Sequence, residues 1–463
     1  MKRGKLVWIS TMILMVVAVP VFSGCTSTSG ESKKEQNSKN DGKIVITELV
    51  PDVPEKMYIE KLIPDFEAKH PNISIKIAKA PSNDFDTKLQ SMIAGGMAPD
   101  VTSHWGNAGF AELLDKGLIT DMTDMLKADS FKGTDYGMSD NLMDIYKVDG
   151  KTYGIPVYSY VTLMLYNKDL FDKSGVPYPP SSYEDKSWTF EKMMEVAKKL
   201  SVSSDDVNKV QYGVDWNFGG SQRDMKLSYF GAKIYADDTW KNGGHATASY
   251  FDSSDVIKAS QTYNDMVYKD KVSPSMEFTK AVAGQGGDAF ATGKVGMYVG
   301  GAWKLTGINK YKFKVGVAAV PAVNGSNIRN VLYVDPLMIM KDSKHPKEAL
   351  EWIKYQLRKD VQEKTIELSG GTPPTNQQAI EKYYNLYSPN IDPKDMKNIV
   401  EGGLKYGTEA YNHLVTSYSE IANAVKNEMD PLDNGKKTAE QVAPEIQKKV
   451  NAILNEKNAK FKK

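Results

Sequence analysis

Between Ile44 and Val101 the chain alternates between two hydrophobic rhythms, and this alternation restricts the fold more than any other feature. Ile44-Val45-Ile46 is a short continuous apolar run, the pattern of a strand buried on both faces. Ile59, Leu62, Ile63 and Phe66 follow at i, i+3, i+4 and i+7, which is one face of a helix. His70-Pro71-Asn72 stops that helix, because proline disfavours helical geometry in the residue before it. Ile73, Ile75 and Ile77 then alternate as a second strand. Phe85, Leu89, Met92 and Ile93 mark another helical face, closed by Gly95-Gly96, and a third strand starts at Asp100-Val101. Five elements in about sixty residues predict a parallel α/β sheet. Ligands of such sheets sit beyond the carboxyl ends of the strands. Here those segments are Glu48 to Pro54, Lys79 to Asp86, and Ser103 to Asn107.

The same character continues with less regular periodicity. Helical patterns recur at Phe190 to Ala197, where Thr189 is placed as a cap, and at Val256–Tyr268, Pro346–Lys359 and Ala439–Asn455. Strand-like runs occupy Val161–Tyr166, Val295–Val299, Val315–Val320 and Val331–Met340. The chain has 463 residues, more than one core can organise, so periodicity and length together predict two α/β lobes.

The N-terminus carries a different kind of signal. Lys2, Arg3 and Lys5 precede an apolar run from Leu6 to Phe22, the form of a signal peptide spanning residues 1–24. Ser23-Gly24-Cys25 resembles the bacterial lipobox, with Phe22 where leucine is usual. That resemblance implies cleavage before Cys25, diacylglyceryl modification of its thiol, and stable membrane anchoring through lipid. From Thr26 to Gly42 the chain has no large apolar residue, so 25–42 reads as a lipidated cysteine and flexible tether. The folded body is expected to begin near Lys43.

Composition removes several classes of function. A net charge of +1 argues against a globally basic nucleic-acid binder. One cysteine excludes an intrachain disulfide framework and Cys-rich zinc modules, and five scattered histidines leave little for a metal site. Gly284 to Ala289 fits a dinucleotide-loop spacing, but no clean apolar strand precedes it, so it reads as a turn before a short helix. No cofactor or metal is expected. Paired carboxylates of a glycosidase stay open, because 58 acidic residues offer many pairs.

Aromatic residues point further. There are 25 Tyr and seven Trp, side chains with an apolar face and a polar edge. A pyranose ring has the same duality, and stacking its face while Asp, Asn or Gln bind its hydroxyls is a physical recipe for sugar recognition. Trp105 stands beside His104 and near Asn107, Trp216 between Asp215 and Asn217, and Trp303 after Gly300-Gly301.

A set of short motifs, in order, resembles the extracellular solute-binding proteins of the sugar type. These are maltodextrin-binding-protein-like lipoproteins that serve ATP-driven (ABC) importers. The motifs begin with Phe66-Glu67-Ala68-Lys69-His70-Pro71-Asn72-Ile73, Ile93-Ala94-Gly95-Gly96, Ala98-Pro99-Asp100-Val101 and Ala111 to Ile119. Tyr153-Gly154-Ile155-Pro156-Val157, Tyr166-Asn167-Lys168-Asp169-Leu170-Phe171, Gly175-Val176-Pro177 and Trp188-Thr189-Phe190 follow. Phe290 to Met297, Gly301-Ala302-Trp303, His345 to Ala349 and Gly371-Thr372-Pro373-Pro374 complete the set.

The resemblance implies a two-lobed periplasmic-binding-protein-like α/β fold with a hinge, its parallel-rich sheets flanked by helices. Lobe one would take 43–160 and 322–368, and lobe two 161–321 and 369–463. A sugar or oligosaccharide would be captured between them, unaltered, and passed to ABC permease subunits. The chain would be exported, would have no enzyme activity, and would be held as a monomer on the outer face of the cytoplasmic membrane. Ligand contacts implied by the resemblance are His104, Trp105 and Asn107, Tyr158 and Tyr160, Asp215, Trp216 and Asn217, and Trp303. Asp86, Asp335, Gly371 and Thr372 join them. Trp188 is expected to pack a helix start and Asp100 to orient a strand end. Two other readings remain: a receptor for a peptide or polyamine, and a secreted carbohydrate-active enzyme. An arginine clamp or a convergence of Asp86, Asp215 and Asp335 would signal the former.

Overall fold

The first apolar runs form β1 (Ile44–Pro51), β2 (Ile73–Ala80) and β3 (Val101–Thr102), and both pairings of β1 are parallel. The computed structural model describes residues 42–461 except 54–55, 107, 217–222, 240–242, 285–286, 324–325 and 327–328. The signal peptide, Cys25, all of the tether but Gly42, Asn107 and Asn217 therefore lie outside the described residues. Two strands run further than their apolar cores suggested. Register continues to Pro51 opposite Ala80, so Glu48–Pro51 and Lys79–Ala80 belong to strands and not to loops beyond them.

Helices α1 (Ile59–Lys69) and α2 (Phe85–Ala94) fill the intervals, and α3 (Phe110–Asp115) follows β3. Ile59, Leu62 and Phe66 are the buried face of α1, as the spacing requires. Phe66 packs edge-on against Trp352 at 4.9 Å and Tyr355 at 5.3 Å, both from the helix Pro346–Leu357. The helical pattern expected through Lys359 breaks at Arg358, whose extended backbone (ψ 144°) separates it from a second helix, Lys359–Ser369.

A small hairpin of β4 (Lys147–Val148) and β5 (Lys151–Thr152) leads into β6 (Ile155–Asn167), a strand buried along its whole length. Next come β7 (Tyr212–Asp215), β8 (Val295–Gly301), β9 (Val315–Ala318), β10 (Asn330–Ile339) and β11 (Gly407–Glu409). One hydrogen-bonded order, β2-β1-β3-β10-β6-β8-β7, joins them, with β9 on β6 and β11 on β10. This sheet is mixed and not parallel-rich. The pairs β1–β2, β1–β3, β7–β8 and β10–β11 are parallel, but every pairing of β6 is antiparallel, as is β10 with β3.

The reason lies in two long strands that serve both lobes. The first half of β6 pairs with β10, from Ile155 opposite Leu337 to Val161 opposite Leu332. From Thr162 onward it pairs instead with β8, and from Met164 with β9 as well. The far end of β10 returns to β3. The first lobe stacks β1–β3 against α1 and the helix Pro346–Leu357. Beyond the crossing, the helix Phe190–Leu200 packs on β7 and β8, and the helix Ala439–Phe461 packs against both Ser254–Tyr268 and Tyr418–Asp433. Thr189 caps the first of these, its hydroxyl accepting from Lys192 N at 3.3 Å.

Candidate functional site

Where β6 and β10 pass between the lobes, strand alternation places Tyr158 and Tyr160 on one face, opposite Asp335 and Tyr333. A third segment lies alongside. Tyr158 bridges to Pro374, and Thr375 Oγ1 donates to Val157 O at 3.1 Å. Thr372 is within hydrogen-bond reach of Tyr160, at 3.4 Å between hydroxyls. Gly371 has φ +134°, and an added Cβ would strike the Tyr387 hydroxyl, so this turn requires glycine.

On the first-lobe side Lys56 is the centre of a buried polar group. Its ammonium pairs with Asp335 at 3.3 Å and lies 4.3 Å from the Tyr158 ring centre and 5.9 Å from that of Trp105. Tyr58 donates its hydroxyl to that of Tyr158, which donates in turn to Gln356 Oε1 at 3.4 Å. Glu48 accepts from Trp352 Nε1 at 2.5 Å and Gln356 Nε2 at 3.3 Å. Burial pushes its carboxyl up to about 7, against the pull of Trp352 and Lys56.

Residues 103–106 and 108–109 lie in the loop after β3. His104 is buried and donates from Nε2 to Val334 O at 3.2 Å, since a carbonyl can only accept. Burial, reinforced by the neighbouring His413, holds its pKa well below the usual imidazole range. Asp86 bonds this loop, accepting from Ala108 N at 3.1 Å, with Gly106 packed so close that a Cβ would overlap its carboxylate. This bond ties α2 to the loop after β3. Asp100 accepts from Thr47 N at 2.9 Å and Ser343 Oγ at 2.6 Å, which orients the strand end.

On the second-lobe side Trp303 follows β8. Its half-buried indole meets Tyr160 edge-on at 6.0 Å and Tyr333 at 5.0 Å. Gly301 makes this possible, because a Cβ there would lie less than 3.0 Å from the indole ring. Trp216 behaves differently from expectation. It is only 2% exposed and packs among Phe190, Tyr229, Phe230 and Tyr263, so its ring is largely a core group. Together with Asp215 it borders a cavity of about 780 Å³ that also meets Tyr298, Asp288 and Lys304. The Asp288–Lys304 ion pair, 2.5 Å long, is shared with a smaller cavity of about 340 Å³ that reaches Trp303. Trp188 packs a helix start, its Nε1 donating to Ala319 O at 2.8 Å.

Most of the expected residues fall into groups joined by contacts. Tyr158, Trp105 and Asp335 gather on Lys56, and Thr372, Tyr160, Trp303 and His104 form a chain of contacts through Tyr333 and His413, the two groups meeting where Tyr158 and Tyr160 pair with Asp335 and Tyr333 across β6 and β10. Asp215 and Trp216 line the larger cavity, which shares Asp288 and Lys304 with the smaller one that reaches Trp303. Sequence reasoning missed Lys56, Tyr333, Glu409 and His413. The i, i+4 spacing of Glu409 and His413 was the one local signal for that pair. Among the described residues no group of three or more His, Cys, Asp or Glu is placed to hold a metal ion.

Comparison with known proteins agrees with this architecture. Residues 51–363 match the family described as bacterial extracellular solute-binding protein, and the chain belongs to that family. It is 24% identical over 316 residues to the multiple sugar-binding protein of Streptococcus mutans, covering 67% of this chain and 70% of that protein. To the maltodextrin-binding protein of Bacillus subtilis it is 23% identical over 330 residues, 70% of this chain and 72% of the relative. Among solved structures, the ABC substrate-binding protein Lmo0181 of Listeria monocytogenes, in complex with cycloalternan, superposes with a TM-score of 0.74. That likeness covers 89% of this chain and 99% of the other at 23% identity. The two-lobed solute-binding fold is therefore common to both.

Proposed function

We infer that this protein is a lipid-anchored receptor that captures a neutral sugar or oligosaccharide between its lobes and delivers it, unaltered, to an ABC permease. The observation that carries this reading is the aromatic set Trp303, Tyr160 and Tyr333 beside the buried polar residues Asp335, Lys56 and His104, at the strands that cross between lobes. Flat apolar rings next to fixed donors and acceptors match the two chemistries of a pyranose. The sugar ligands named for the Streptococcus, Bacillus and Listeria proteins support the same class.

Of the proposed lobes, 43–160 with 322–368 and 161–321 with 369–463, the first boundary is supported by the exchange along β6 of β10 for β8 beside Val161 and Thr162. Closure about these crossings would favour the bound form, and differential affinity for the closed state would supply the signal to the permease. Anchoring rests on Cys25 and the tether, and the location on the outer face of the cytoplasmic membrane follows from that anchor.

The features that would favour a peptide or polyamine are dispersed. Asp335 pairs with Lys56 and Asp86 accepts from Ala108 N, while Asp215 borders the cavity of about 780 Å³. Arg329 spends its guanidinium on the carbonyls of Val320 and Tyr183, and Arg358 pairs with Asp360. Thermal-shift screening of the purified protein against mono- and oligosaccharides, spermidine and short peptides tests the reading. Stabilisation by sugars alone is expected, with no reducing ends released from any oligosaccharide. Stabilisation by spermidine or a peptide alone would overturn the ligand class.

A further inference from the structure

The loop after β3 and the segment after β11 meet in a tight seam. An added Cβ on Gly109 would overlap the carbonyl of Asn412, and Asn412 Nδ2 donates to Gly106 O at 3.2 Å. Within this seam the His104 and His413 rings stack with centres 3.5 Å apart and planes 24° from parallel. His413 Nδ1 bonds Glu409 Oε1, which also receives Val334 N at 3.4 Å.

Among the described residues, three side-chain atoms here are buried without a hydrogen-bond partner: His104 Nδ1, Glu409 Oε2 and Asn412 Oδ1. Their residues are 1%, 8% and 2% exposed. Such orphans are uncommon, because each retains a desolvation penalty that no bond offsets. All three have the same chemistry. His104 uses its one proton at Nε2 toward Val334 O, so Nδ1 carries a lone pair, and the other two atoms are oxygens. Three acceptors on one seam call for a donor-rich group. Aromatic surface is adjacent, with Tyr333 edge-on to His413 at 6.3 Å and Trp303 edge-on to Tyr333 at 5.0 Å.

We propose that the seam formed by His104, Glu409 and Asn412 is a ligand subsite whose acceptors receive hydroxyl protons of the captured sugar. This rests on the carbohydrate reading above and specifies which part of the sugar is read. The subsite selects for free hydroxyls, so a ligand that presents an ether or a hydrogen at this position is rejected.

The test uses the full-length protein and isothermal titration with glucose, mannose, galactose, mannobiose and maltotriose. The tightest of these is carried forward with its mono-O-methyl derivatives. Glu409→Gln, which can turn a nitrogen donor toward the sugar, is expected to weaken binding about tenfold or more. One O-methyl derivative should lose at least as much on the wild-type protein, and little further on Glu409→Gln. That derivative series on the wild type stands by itself should the variant fold poorly. Wild-type binding with Glu409→Gln folded and within twofold of it, or with every O-methyl derivative tolerated, overturns the subsite and leaves the sugar receptor intact. Absence of binding by all five sugars overturns the receptor reading and the subsite with it.

Discussion

Replacing Gly301 by alanine should remove the Trp303 indole from its place without touching the indole itself. Gly301 has φ −72° and ψ 150°, which alanine adopts freely, so the substitution carries no backbone strain. Its new methyl group would instead lie less than 3.0 Å from the ring of Trp303, and the ring must turn away. The edge contacts to Tyr160 at 6.0 Å and Tyr333 at 5.0 Å are then lost. Each such aromatic pair contributes about 0.5–1.5 kcal/mol, so the fold should lose about 1–3 kcal/mol. Removing a tryptophan platform from a ligand typically costs about 2 kcal/mol or more, which raises Kd roughly thirtyfold. Calorimetric titration of the tightest sugar, with denaturant melts alongside, measures both quantities. Trp303→Ala should match Gly301→Ala in affinity, and the double variant should be little worse than either, because both remove the same contact. A displaced indole, seen by fluorescence or crystallography, together with Kd within twofold of wild type would refute the role given to Trp303.

Two further outcomes follow from buried charge. Lys56→Met leaves Asp335 uncompensated at a site where the two side chains are 6% and 11% exposed, and should cost about 3–5 kcal/mol in urea unfolding; adding Asp335→Asn should recover part of it. A loss under about 1 kcal/mol would show that the pair is solvated. Asp224, enclosed with the Tyr235 and Tyr418 hydroxyls, has its carboxyl pushed up to about 6 by burial. Its folded pKa exceeds the unfolded value, so its contribution is complete below about pH 4 and declines as pH rises through about 6, by up to about 3 kcal/mol. Asp224→Asn should flatten that part of the stability–pH curve, and an unchanged slope would contradict the assignment.

How much of this was legible in the sequence depended on range. The α1 face, the two isoleucine-rich strands and the Thr189 cap are local patterns, and each has its counterpart in the structure. In β6 only Val161–Tyr166 read as a strand; its first half, with Pro156 and alternating polar residues, is buried by neighbours far along the chain. Mixed pairing was hidden for the same reason, since β10 lies well over a hundred residues from β6. In the candidate site, Trp303 was marked by the glycines before it. Trp216 borders the cavity with Asp215 yet is only 2% exposed, because Phe190, Tyr229, Phe230 and Tyr263 pack around it from other elements, which its polar sequence neighbours do not reveal. Lys56 and Asp335 are 279 positions apart, and no spacing rule connects them.

The central claim is a cleft that holds a neutral sugar intact, and a crystal structure of the protein grown with its tightest-binding oligosaccharide tests it most directly. The account predicts one unbroken sugar between the lobes, with a pyranose face on Trp303 and hydroxyls toward His104, Glu409 and Asp335. Sugar bound only on an outer surface, or recovered as cleaved product, would contradict it.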